Sequence, residues 1–123
     1  MGIGAFFGRL FGHVVHDSAP GERIAVATVG DREVARTDAY KKVEGNVYFP
    51  PDTVDRSMLM DSDRTYVCPW KGLALYYDVK VDGHLIKDGA WYYPDPKDAA
   101  AGIRDHVAFD RKIKVQENAR ASA

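Results

Sequence analysis

A single cysteine, Cys68, is all the thiol that the 123-residue chain has. That excludes an intrachain disulfide and every zinc site built on paired cysteines. Excess charge is missing too: 17 Lys and Arg stand against 18 Asp and Glu, for a net charge of -1. This balance argues against nucleic acid as a partner, because phosphate recognition needs a basic surface. No apolar run approaches the ~18 residues of a membrane span, so no transmembrane segment is expected. No Gly-rich phosphate loop, Ser-His-Asp motif or zinc motif occurs, and neither a cofactor nor a metal is expected. The N-terminus lacks a secretory pattern, since its one cation, Arg9, lies inside the apolar stretch. Phe6 stands where myristoylation wants Ser or Thr. A cytoplasmic location is the expectation.

What is present is ordinary globular composition, 46% hydrophobic and 28% charged, in a length that suits one domain. The expected organisation is an apolar helical extension over residues 1–16, a single β-rich domain over 17–117 and a flexible tail over 118–123. In the extension Ile3, Phe6, Phe7, Leu10, Phe11 and Val14 form an apolar stripe at helical spacing. Gly4, Gly8 and Gly12 form a second stripe that lets helices approach closely. The segment reads as a docking helix or as a homodimer contact through residues 1–15. A flexible leader and a membrane-surface helix are the alternatives.

Beyond residue 22 the signals turn to strands. Arg23 to Val29 and Arg32 to Thr37 flank a Gly30-Asp31 turn and predict a hairpin. Gly45 to Phe49 is a short strand closed by Pro50-Pro51. Asp52 to Met60 suits one or two helical turns, and Asp61 to Asp63 reads as a polar turn. Thr65 to Cys68 is a further strand. Leu73 to Val81 is the clearest: Leu73, Leu75, Tyr77, Val79 and Val81 form a buried row, against a partly wet row of Ala74, Tyr76, Asp78 and Lys80. Asp82-Gly83 is a two-residue hairpin signal, so His84 to Lys87 pairs back and Ala90 to Tyr93 continues the sheet. Lys97 to Asp105 reads as a short helix, Val107 to Phe109 and Ile113 to Val115 as the last strands, and Glu117 onward as a fraying tail. The fold class is mainly β: a small antiparallel two-sheet or partly closed barrel with short helices.

Both Trp and five of the seven Tyr fall between positions 66 and 93. Paired across the Asp82-Gly83 hairpin, these side chains wall a cleft suited to planar or cationic ligands. Half-buried strands are also rich in aromatics for packing alone. Cys68 is a candidate nucleophile if a cation lowers its pKa, and Lys71 lies three residues on, across a Pro-containing turn. The alternative is a buried structural thiol. His106 is either a base or a satisfied structural histidine. Asp61 and Asp63 have magnesium-pair spacing, but they flank Ser62 in what reads as a turn.

Several blocks together carry a resemblance. Phe49-Pro50-Pro51, Asp63-Arg64-Thr65, Cys68-Pro69-Trp70-Lys71-Gly72, Ala90-Trp91-Tyr92-Tyr93 with Pro94 and Pro96, and His106-Val107-Ala108-Phe109 resemble the domain of unknown function 427 family, from about Arg23 to about Val115. The resemblance implies a small, mostly bacterial, cytosolic β-rich protein, similar to the β-tent class in which sheets lean over a ligand cleft. The family carries a nucleotidyltransferase-like label, for which this sequence lacks a phosphate loop. Cys68, Lys71, Trp91, Tyr93 and Arg64 match the family's motif. The N-terminal stretch and the region around Phe109-Asp110 depart from it.

The expected function is small-molecule binding in an aromatic-lined cleft. Trp70, Tyr77, Trp91 and Tyr93 would form walls, Lys71 and Arg64 an anionic anchor, and His106 a further contact. Cys68 and Lys71 would be the catalytic pair if turnover occurs. The alternative is a non-catalytic structural or interaction module that self-associates through its N-terminal helix.

Overall fold

The computed structural model describes residues 15–17 and 23–119, and the strand pattern of the sequence recurs there as ten strands. They are β1 (Val15–Asp17), β2 (Arg23–Val29), β3 (Arg32–Thr37), β4 (Lys41–Val43), β5 (Asn46–Tyr48), β6 (Leu59–Cys68), β7 (Gly72–Val81), β8 (His84–Tyr92), β9 (Val107–Phe109) and β10 (Lys114–Ala119). Three short 3₁₀ segments, Pro51–Thr53, Arg56–Met58 and Asp98–Ile103, fill the places read as helical turns. The helix predicted over the extension lies outside the described residues up to position 14. Val15 and His16, included in that helix, instead begin strand β1, because β4 supplies backbone partners through Val15–Val43 and His16–Lys42 pairing.

The strands form antiparallel sheets in the orders β1-β4-β5, β10-β2-β3 and β6-β7-β8-β9, and none closes into a barrel. Asp82 at φ 49° and Gly83 at φ 85° occupy the two positive-φ positions of the β7–β8 hairpin, as the Asp-Gly pair predicts. Phe49 and Val107 exchange backbone hydrogen bonds of 2.8 and 2.9 Å, tying the end of β5 to β9.

Asp61–Asp63 is not a turn. β6 runs through it and absorbs its polar residues as a bulge between Asp61, opposite Tyr77, and Thr65, opposite Leu75. β8 is likewise continuous, with a register break between its Tyr77–Ala90 and Val79–Ile86 pairs. The break centres on Asp88, at φ 53°. Asp78 therefore does not face water. It is buried and accepts the Asp88 backbone N–H at 2.7 Å, and Ser62 Oγ donates to Asp88 from the β6 bulge. The predicted tail also differs: β10 pairs with β2 as far as Ala119–Arg23. Glu117 accepts hydrogen bonds from Tyr40 and Lys42 at 2.9 and 2.7 Å. Partners about 75 residues back in sequence give a polar tail no local signal of order.

Both sides of the four-stranded sheet carry a core. Tyr77, Val79, Val81, Ala90, Val107 and Phe109 join Ala25, Ala27, Val34 and Phe49 in the main core. Ala74 of β7 and Ala108 of β9 face the other way, into a second core with Val43, Tyr48, Cys68, Tyr93, Ala100 and Ile103. Strand alternation sorts neighbouring residues between the two. The row read as partly wet is thus partly buried, because the β4–β5 hairpin and the Asp98–Ile103 segment cover it. Leu73, read as buried, is 45% exposed, since the main core takes only Tyr77, Val79 and Val81 from its row.

Candidate functional site

Cys68 and Gly72 close the β6–β7 connection as paired residues, with Pro69, Trp70 and Lys71 between them. Gly72 sits at φ +107°, and a Cβ there would stand 3.5 Å from the Asp95 carbonyl oxygen. A glycine suits this backbone, where a side chain would be strained. Lys97 pins the connection from outside: its backbone N–H donates to Lys71 O at 3.0 Å and its Nζ to Pro69 O at 2.7 Å. This frame turns Trp70 and Lys71 toward the β4–β5 hairpin.

The Lys71 side chain is only 7% exposed. Its Nζ donates to Glu44 Oε1 at 2.5 Å, and Trp70 Nε1 donates to Glu44 Oε2 at 3.2 Å. The same ammonium stands 5.5 Å from the Trp70 ring centre and 5.3 Å from that of Tyr93, within cation–π range. Tyr48 adds a third wall. Its hydroxyl accepts from Trp91 Nε1 at 3.1 Å, and its ring lies 6.5 Å from those of both Trp91 and Tyr93. Tyr76 extends the aromatic surface, 6.2 Å from Trp91, with the Arg64 guanidinium 4.8 Å over its ring.

Charge follows from this geometry. Burial by itself would lower the Lys71 pKa, but the Glu44 hydrogen bond and the Tyr48 and Tyr93 oxygens outweigh it and hold the ammonium above the usual lysine range. Burial raises the Tyr48 and Tyr93 phenols above theirs, against the pull of Lys71. The site therefore holds a permanent cation among neutral rings. Such a lysine anchors negative charge well and serves poorly as a nucleophile or base.

Of the residues expected at the site, Cys68, Trp70, Lys71, Trp91 and Tyr93 come together. Cys68 is 6% exposed and packs in the second core with Tyr48 and Tyr93. Arg64 reaches the rim through Tyr76. Tyr77 lies on the opposite side of the sheet: Trp91 pairs with Tyr76, and Tyr77, one residue on, points into the main core. There it stacks on Tyr92 at 4.6 Å, accepts from Arg56 at 2.7 Å and borders a cavity of about 400 Å³. His106 stays with its own loop, its Nδ1 2.9 Å from Arg104 O.

Tyr76, one of the five tyrosines between positions 66 and 93, joins the cluster, and Glu44 and Tyr48 complete it without having been singled out. Gly45 between two strand-like runs is a turn signal that would have placed Glu44 near a hairpin tip. Nothing local points it at a lysine 27 residues away. Among the described residues, no group of three or more His, Cys, Asp or Glu could hold a metal ion, and no helix is long and apolar enough to cross a membrane.

Fold and cluster together define a small, mainly β protein of antiparallel sheets with a charge-paired, buried lysine among aromatic rings. The chain belongs to the family described as Domain of unknown function (DUF427), which it matches over residues 17–119. No curated protein matched the chain.

Proposed function

We propose that the protein binds a small, planar, anionic molecule at the Lys71 cluster. One observation carries this reading: an ammonium that is 7% exposed at its side chain stays charged between the Trp70 and Tyr93 rings. Burying a cation is costly unless something negative repays it. A lysine kept charged beside aromatic walls suits a ligand that brings a negative group and a flat body. Arg64 over Tyr76 supplies a second cation at the rim. Cys68 and Lys71 were the pair for turnover. With Lys71 held as an ammonium and Cys68 6% exposed, we assign both to binding.

Trp70 and Trp91 are the chain's two tryptophans, and both belong to the cluster, so intrinsic fluorescence reports on it directly. A library of planar carboxylates, sulfonates and phosphates, titrated against the full chain, should give a saturable fluorescence change. Lys71→Met and Trp91→Ala should each weaken that binding at least tenfold while leaving the circular dichroism of the fold in place. Unaltered affinity in both variants defeats the reading.

A second reading is self-association through residues 1–15, of which Val15, paired with Val43 of β4, is the one described residue. Light scattering on the same samples separates the two: a monomer counts against self-association.

A further inference from the structure

Resting on the Lys71 binding reading, we infer that Glu44 is a built-in stand-in for the ligand's own carboxylate, displaced when a planar carboxylate takes its place on Lys71 and Trp70. Two N–H donors converge on the two oxygens of this one carboxylate: Lys71 Nζ on Oε1 and Trp70 Nε1 on Oε2, at 2.5 and 3.2 Å. A pair of donors spaced for two oxygens of one planar group describes a carboxylate site. Glu44 fills it from the tip of the β4–β5 hairpin.

The partners differ in accessibility. The Lys71 side chain is 7% exposed, whereas that of Glu44 is 45% exposed. Glu44 is therefore the partner that a ligand would turn out toward water, while Lys71 stays where the Lys97-braced connection holds it. A ligand carboxylate that replaces Glu44 restores the charge pairing of Lys71, and its flat body meets the ring of Trp70, which is only partly buried. The backbone points the same way. Glu44 sits at φ 52° beside Gly45 at φ 82°, where turn chemistry favours Asn, Asp or Gly at the first position. A long acidic residue there is explained by its side chain and not by the turn.

Displacement makes Glu44 a competitor of the ligand. Removing it should strengthen binding, the reverse of what removal of a ligand-contacting residue does. Glu44→Gly deletes the carboxylate and relaxes the positive-φ position, which protects the hairpin. Glu44→Gln keeps the length and removes the charge. Benzoate is the probe, read by tryptophan fluorescence, with inorganic phosphate as comparison.

Expected are benzoate affinities at least tenfold higher for both Glu44 variants than for the unaltered chain, abolished when Lys71→Met is added. Equal benzoate affinity with and without Glu44, still lost in Lys71→Met, overturns the stand-in and leaves the binding reading intact. Benzoate binding that survives Lys71→Met overturns both. Phosphate bound as tightly as benzoate by Glu44→Gly overturns the carboxylate assignment. Weaker benzoate binding in both Glu44 variants makes Glu44 part of the ligand's support, which also overturns the proposal.

Discussion

The two sides of the β6–β9 sheet are built from the same strands and hold different kinds of interior. The main core packs alanines and valines of β2, β3 and β7, with the Tyr40 and Tyr77 rings, around the Phe49–Phe109 edge-to-face pair, 5.4 Å apart. The second core surrounds Tyr48, Cys68 and Tyr93 with Trp70, Trp91 and the Lys71–Glu44 pair. Apolar packing alone would stabilise either side. Both sides bury tyrosines, but the second side also buries the Lys71 cation, which must find a partner. The difference separates an interior packed around apolar side chains from one that also holds a buried ion pair.

The sharpest way to test that division is to damage each side in turn. Phe49 is fully buried, and Phe49→Ala should cost about 3–5 kcal/mol through lost burial and a cavity, read by denaturant titration. A cost below about 1 kcal/mol would mean that the main core is not what stabilises the fold.

Alkaline pH acts on the second side. The folded protein holds the Lys71 ammonium and the Tyr48 and Tyr93 phenols protonated above their ordinary 10.5 and 10.0. Tyr92, on the main-core side and raised by burial and by its Tyr77 hydrogen bond, joins them at about 12. The unfolded chain releases these protons first, so it binds fewer of them above about pH 10 and stability falls as pH rises. Below that pH the contribution is fully present. The urea midpoint should stay level from pH 8 to 9.5 and drop steeply above 10. A level midpoint up to pH 11.5 contradicts the burial assigned to these groups.

The smallest change is expected at the site itself. Lys71→Met keeps the length and apolar stem of the side chain, and Glu44, its side chain 45% exposed, stays within reach of water. Its stability should lie within about 1 kcal/mol of the unaltered chain, although binding of the proposed ligand should be lost. A loss as large as that of Phe49→Ala would make Lys71 a structural pillar and erase the contrast between the two cores.

Particular elements show where the sequence was legible. The Arg23–Val29 and Arg32–Thr37 hairpin and the Asp82-Gly83 turn were readable, because turn chemistry and period-two alternation are written within a few adjacent residues. The place of Tyr77 in the buried row of β7 was readable as well, but its separation from the Trp91 cluster was not, because only pairing across strands sets Trp91 opposite Tyr76 and so on the other face. The Asp61–Asp63 segment misled for the same reason: polar residues that mark a turn also suit a bulge.

By itself, then, the sequence determined a mainly β chain, the order of most of its strands and the stretch that supplies the aromatic, lysine and cysteine side chains. Each of these rests on local preferences that a short window expresses. The tertiary structure decided that the sheet has two cores, that Tyr77 leaves the cluster while Tyr48 enters it, and that Glu44 meets Lys71. Those outcomes depend on which distant backbones pair and in what register, a choice settled only when both faces of the sheet are covered at once.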